Sequence, residues 1–512
     1  MMLFEFPTLW FRRLVKQSQL KTSSKVQGPE RGELTKLFAD VSGSTSRKTL
    51  AAELQSFIGL HSRYSTHIAE HRIIKWENVG PPTADSVTSY NVLPQSVDAS
   101  MALNQLAIVK LDGLGQQSMG SSEATSNLEV KNGVTCLDLT VQQIDSLNST
   151  YNADVLLIIL SSYLTHDSIL SSVKKYTDTR VNVTALHQSR YPSVPSLSST
   201  RVQNSKSKST VYPPGHGDLY ESLHRSGLLD QLLSQGKRYL FVSNSNNLGS
   251  TFVVHDLDVA YLLIQSRMDL TVLQHIVDKK IEFAMEVTNT SDIDPEGGIV
   301  LEYDGKIRLL ERAQVPSDQL DKFKSLRKFG TFNTNNLWIY LPALKQVMDS
   351  GGLNLDIIAK TKVSEDGQSM IQLETAAGAA ISHFKNVRII KVPQSRFLPV
   401  KRPSDLLIVR SNLYHIQDAQ LVMNEQILFR PPTIKLSEHF RTVPELERRF
   451  ATVPDLLELD QLTISGDVYL GRKVKLRGTI IIIADEGQRL EIPSDSDLEN
   501  RLISGNLTVT DL

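Results

Sequence analysis

"LAIVKLDGLGQQSMGSSEATSNLEVKNGVTCLDLTVQQIDSL", residues 106–147, followed by "ADVLLIIL", residues 153–160, is the stretch that decides the fold. It runs from a short apolar segment through a glycine-punctuated turn to apolar positions at helical spacing, then to a second short apolar segment. That is the pattern of a βαβ unit. The alternation continues through "SILSSVKKY" (168–176), "VNVTAL" (181–186), "ESLHRSGLLDQLLSQG" (221–236) and "RYLFVSN" (238–244). Strands that alternate with helices build a mostly parallel sheet, and such sheets bind ligands beyond the carboxyl ends of their strands. The expected class is therefore α/β.

Within that stretch, Lys110–Val130 leaves one strand-like run, carries Gly113, Gly115 and Gly120, and returns to another. Glycines let backbone N–H groups approach a phosphate without interference from Cβ, although this spacing is neither a Walker loop nor the dinucleotide fingerprint. The loop has the shape of a phosphate cradle with little positive charge beyond Lys110.

Composition narrows the partners. The chain has 512 residues, with 55 basic against 56 acidic side chains, so no bulk charge favours nucleic acid or an anionic membrane. Cys136 is the single cysteine, so no internal disulfide forms; with no zinc-type spacing either, a reducing, cytoplasmic compartment is expected. No apolar run reaches membrane length. Residues 1–48 read as a mobile extension and 49–95 as a helical lead-in, with "LAAELQSFIGL" before the linker-like "WENVGPPTADSV". The serine-rich stretch starting at Pro192 reads as a surface segment. In the last fifty residues, apolar side chains recur at every second position between glycines. Short strands with frequent turns suggest a β-solenoid, with an antiparallel sheet as the alternative.

A series of motifs follows in one order: "HQSRYP" (187–192), "YPPGHGDLYESL" (212–223), "RYLFVSNSNNLGS" (238–250), "EVTNTSD" (286–292), "FNTNNLWI" (332–339), "QLETAAGAAI" (372–381) and "SRFLPVKRPSDLL" (395–407). Together with the glycine loop and "CLDLTVQQI", this set resembles the eukaryotic UDP-glucose pyrophosphorylases over about residues 95 to 512. The resemblance implies a Rossmann-like nucleotidyltransferase domain over 96–405 and a C-terminal domain over 406–512 that ends in a left-handed β-helix. It implies the reaction of UTP with glucose 1-phosphate to UDP-glucose and diphosphate, with Mg²⁺ as cofactor. It also implies assembly, as a homo-oligomer or with an active paralogue. By the same resemblance Leu111, Asp112, Gly113, Gln188 and Gly215 fall on nucleotide-binding positions. His216, Asn244 and Asn335 fall on positions that face the sugar phosphate and sugar, and Lys401 falls on the catalytic phosphate-binding lysine.

Two departures bear on the chemistry. The family loop, "KLNGGLGTSMGCKGPKS", has its last lysine where this chain has Thr125 and its earlier lysine where this chain has Ser122; Glu123 and Asp112 bring anions. In "VSNSNNLGS" the family's metal-holding aspartate is Asn246, a weak magnesium ligand. A nucleotidyltransferase that has lost both groups would work slowly, with Lys110 or Lys401 substituting for the lost cations. The alternative is a catalytically inactive nucleotide-sugar-binding or regulatory paralogue. Asp218 and Asp405 read as turn caps or ion-pair partners, Cys136 as buried and inert, and Glu374 as structural beside closely packed alanines.

Overall fold

The structure, a computed structural model, describes residues 47–69, 74–93, 100–116, 119–121, 123–195, 211–250, 268–289, 297–364, 367–427 and 431–505. Most of the expected N-terminal extension and most of the serine-rich stretch lie outside these residues. The chain is α/β with a mostly parallel central sheet. It divides into two compact units, each discontinuous in sequence. The first comprises Met1–Ser89, Leu186–Leu240 and Lys280–Lys391, and the second Tyr90–Ala185, Phe241–Lys279 and Val392–Leu512.

In the second unit the opening stretch folds as its pattern requires. Strand Leu106–Asp112 pairs parallel with strand Leu156–Ser161, and helix Cys136–Tyr151 crosses between them. All seven residues of the first strand are buried, as expected of a strand covered on both faces. The helix starts at a capping box, where Thr135 and Asp138 satisfy each other's backbone N–H groups, and ends at Asn152 in the left-handed conformation. Cys136 is buried in its first turn.

The C-terminal residues form parallel ladders. Strand Thr433–Leu436 pairs with Leu459–Ser465, that strand with Lys475–Ile483, and the last with Leu502–Ser504; Asp467–Leu470 pairs with Arg489–Ile492. Every pairing is parallel, which excludes the antiparallel alternative for these strands. The ladders stack like on like: Leu462 beside Ile480, Ile464 beside Ile482, Ile482 beside Ile503, and Val468 beside Leu490. These side chains belong to one buried cluster, and each contributes about 1.5–3 kcal/mol by leaving water. The alternation seen in the sequence is the inward half of each strand.

In the first unit, strand Phe283–Thr288 lies between Val387–Lys391, parallel, and Phe332–Tyr340, antiparallel. Helix Arg47–Ala69 occupies the first part of the region read as a helical lead-in, with Phe57 fully buried against Tyr191 at 5.3 Å between ring centroids. The stretch read as a linker is not one. Val79–Gly80 pairs with Glu302 and Tyr303, and Val87–Ser89 joins the sheet beside Ile389–Lys391. Pro81 and Pro82 lie in the connection between the two short strands, and Gly80 is itself paired in the first of them. The alanines after Glu374 are buried, in a 3₁₀ segment, Ala377–His383, rather than an α-helix. Glu374 pairs with Lys360 at 2.8 Å, which agrees with a structural role.

Candidate functional site

The assigned residues fall in both units, and each unit builds its own share. In the second unit, strand Leu106–Asp112 delivers Leu111, Asp112 and Gly113 at its carboxyl end. The loop beyond is closed by its own groups. Gln116 N donates to Glu123 O at 2.9 Å, Gln116 Nε2 to Ala124 O at 2.9 Å, and Met119 N to Gln116 O at 2.8 Å. Gly115 has φ +63°, and a Cβ there would come within 2.6 Å of Glu123 O, so glycine is required for the turn. Asp112 is 2% exposed, with Oδ1 accepting from Thr125 N at 2.8 Å and Oδ2 from Ser126 N at 2.7 Å. Burial pushes its carboxyl pKa up, while the bonds from residues 125 and 126 pull it down.

Lys110 does not supply the missing charge. It is 4% exposed, and its Nζ donates to Ser250 Oγ at 2.9 Å, the hydroxyl of which donates to Asn247 O. Burial lowers its pKa to about 8. The lysine thus braces the 244–250 turn from beneath. The proposal that Lys110 stands in for the lost loop cations is corrected by this geometry.

That turn brings three assigned segments together. Ser245 N donates to Leu111 O at 3.1 Å, tying the turn to the end of the glycine-loop strand. Asn246 O accepts from Val400 N at 3.0 Å, and Asn246 Nδ2 donates to Val400 O at 3.2 Å. Asn244, Asn246 and Lys401 therefore converge on Leu111. Lys401 is exposed, and its backbone N–H is held by Asp405, which also pairs with Arg402 at 3.0 Å and caps the helix Pro403–Arg410. As a magnesium site this set is poor: Asn246 offers one neutral amide oxygen, and among the described residues no group of three His, Cys, Asp or Glu side chains could hold a metal. Those donors do not fit a resident divalent ion.

In the first unit, Gln188 follows strand Val183–His187 and is buried; its Nε2 donates to Gly215 O at 2.8 Å. Its Oε1 is buried with no hydrogen-bond partner, an acceptor left for a donor from outside the protein. Gly215 has φ +82°, and a Cβ there would sit 2.5 Å from Thr375 O. The next residue, His216, accepts the Ala377 N–H on Nδ1 at 2.9 Å, so the neutral ring carries its proton on Nε2. Asn335 lies on strand Phe332–Tyr340 with φ +59°, its N–H bonded to Asn333 Oδ1 at 2.8 Å.

Sequence reasoning passed over the group that holds this loop. Asp218 is buried and accepts from Ser189 N at 2.7 Å, Ser189 Oγ at 2.9 Å and Ser222 Oγ at 2.8 Å. Arg225 Nη1 in turn donates to Ser189 Oγ at 2.8 Å. Burial raises the Asp218 pKa, opposed by Arg225 and these bonds. From helix Arg47–Ala69, Glu53 meets the same charges, and burial pushes it to about 7. The aspartate of "GHGD" was visible in the sequence; its partners were not recognisable, since Ser189 is brought from a separate segment to meet Ser222 and Arg225 of the helix Leu219–Arg225.

The sequence profile of UTP–glucose-1-phosphate uridylyltransferases matches residues 54–477. The chain belongs to this family. It is 40% identical over 486 residues to the probable UTP–glucose-1-phosphate uridylyltransferase of Schizosaccharomyces pombe, covering 94% of this chain and 93% of that protein. It is also 40% identical over 495 residues to the uridylyltransferase of Saccharomyces cerevisiae, covering 95% and 96%. Among solved structures, the UDP-glucose phosphorylase of Trypanosoma brucei superposes with a TM-score of 0.77 at 29% identity, over 93% of this chain and all of that one. The UDP-glucose pyrophosphorylase of Leishmania major gives 0.77 at 29% identity over 94% of this chain and 100% of that one. The family match begins within the helix Arg47–Ala69, so the helical lead-in is part of the family fold rather than an appendage to it.

Proposed function

We propose that this protein binds uridine nucleotide sugar and performs uridylyl transfer between UTP and glucose 1-phosphate only slowly. Family members that keep both charges set the reference. Family and relatives support the reaction; the phosphate end of the site argues for the low rate. The observation that carries this reading is the placement of the cations. Thr125 brings no charge to the loop, Lys110 is committed to Ser250, and Lys401 is the one assigned cation at the surface. Transfer needs charge stabilisation on the phosphoryl oxygens as diphosphate leaves, and each lost stabilising group costs about 10²- to 10³-fold. Two losses slow the reaction by roughly 10⁴-fold or more.

The base and sugar end supports binding. Gln188 Oε1 is a buried acceptor suited to an imide N–H such as that of uracil, and the Gly215–His216 turn behind it is braced by Asp218. The C-terminal parallel ladders support the reading of a left-handed β-helix, through which a second copy or an active paralogue would assemble. Mg²⁺ would enter with the nucleotide's phosphates rather than at a resident protein site.

The test is UDP-glucose formation by the purified full chain with UTP, glucose 1-phosphate and Mg²⁺, run beside the Schizosaccharomyces pombe relative. The expected result is tight retention of UDP-glucose with turnover at least 10⁴-fold below the relative, abolished by Lys401→Ala. Turnover within tenfold of the relative would overturn the reading. No turnover with UDP-glucose still bound would favour the alternative of a catalytically inactive nucleotide-sugar-binding or regulatory paralogue.

A further inference from the structure

Six of the described residues of the glycine loop spend their backbone donors on the loop itself or on Asp112. Within 116–126, the N–H groups of Gln116, Met119, Ser121, Glu123, Thr125 and Ser126 are each bonded inside the loop or to Asp112. The last two matter most, because adjacent N–H groups that point the same way are what a phosphate oxygen would use in such a loop. Here both are taken by one side chain, with Asp112 Oδ1 on Thr125 N at 2.8 Å and Oδ2 on Ser126 N at 2.7 Å.

The side chain's chemistry makes this particular to aspartate. A carboxylate has two accepting oxygens and serves both N–H groups; an asparagine has one accepting oxygen and an NH₂ that only donates. With asparagine, one of the two N–H groups would be released. The carboxylate is held in place from the main-chain side as well, since Thr165 Oγ1 donates to Asp112 O at 2.7 Å. Among the described residues its bonded partners are N–H and hydroxyl groups rather than cations, and Lys110 bonds Ser250. An additional phosphate at this loop would therefore meet a buried negative charge and two donors already in use.

We infer that Asp112 is a specificity-determining residue: its carboxylate occupies the anion-binding donors of the glycine loop and makes this site discriminate against a polyphosphate chain. The ligand class that remains is a uridine compound recognised by base and sugar, with no phosphate seated among residues 112–126. This rests on the uridine-site reading above and adds the selection among uridine ligands.

The experiment is a charge series by isothermal titration calorimetry on the full chain in metal-free buffer, using uridine, UMP, UDP and UTP, repeated with Asp112→Asn. The expected result is affinity that falls as phosphates are added, with UTP at least tenfold weaker than UMP. The ratio of UTP to uridine affinity should then rise about tenfold in Asp112→Asn. A purely structural role would weaken the whole series together and leave that ratio unchanged, which would overturn the inference. So would affinity in the unaltered protein that climbs with each phosphate, and this arm decides the matter even if Asp112→Asn does not fold. Failure of all four ligands to bind would instead remove the uridine site itself, and the inference with it.

Discussion

At the scale of single residues, Asp218 and Asp112 are two buried carboxylates with opposite uses. Asp218 braces: three donors from Ser189 and Ser222 meet it, and Arg225 completes the group through their hydroxyls. Removing the carboxylate leaves the buried Ser189 N–H and the Ser189 and Ser222 hydroxyls without their acceptor, and each buried donor left unsatisfied costs about 1–3 kcal/mol. Asp218→Ala is thus expected to lower stability by about 3 kcal/mol in urea denaturation and to weaken UDP-glucose binding through the adjacent Gly215–His216 turn. A variant as stable as the parent would show that the cluster is not the brace it looks to be. Asp112, by contrast, consumes the donors that its loop would present to a ligand. Both aspartates were legible as letters in motifs, but which groups they bond was not, because the donors come from residues distant in sequence or lie around a turn whose path was unknown.

At the scale of elements, strand Phe283–Thr288 carries a charge where its pattern predicts none. Glu286 is fully buried, accepting from Asn336 Nδ2 at 3.0 Å and Trp338 Nε1 at 2.9 Å, and burial raises its pKa to about 7. In the unfolded chain it titrates near the ordinary 4.5, so between these values the native state holds a proton that the unfolded state has released. Its contribution to stability is complete below about pH 4.5 and is lost as pH rises to about 7, on the order of 3 kcal/mol in all. Glu53, also raised to about 7, adds to the same slope. Glu286→Gln should therefore narrow the difference between urea midpoints at pH 5 and pH 8, although its NH₂ leaves one of the two donors without an acceptor at either pH. A pH dependence equal to that of the parent would assign the slope to other groups. The C-terminal ladders show the opposite case, in which local pattern sufficed. Alternating Ile and Leu between glycines specified which half of each strand points inward; only the pairing partners, and hence parallel rather than antiparallel order, needed the fold.

At the scale of the molecule, a ligand that binds only the native state stabilises it by mass action. UDP-glucose at a hundred times its Kd is expected to add about 2.7 kcal/mol and to raise the calorimetric Tm, with the shift growing as the logarithm of concentration. An unmoved Tm at saturating concentration would count against a nucleotide-sugar site in any part of the chain. The sequence by itself determined the α/β class, the family, the buried cysteine and the absence of charge at Thr125 and Asn246. Each of these depends on residue type and local order, which a linear string records in full. It misread 76–87 as a linker because proline and glycine mark a turn equally well inside a sheet and outside one. It offered Lys110 as a spare cation because a lysine beside a glycine loop has no visible partner until Ser250, 140 residues away, closes on it. Only the tertiary structure decided that the loop's donors are already held by Asp112 and that Lys401 is the assigned cation at the surface. Those outcomes follow from which distant groups share a buried volume, where an unpaired charge or N–H is too costly to leave.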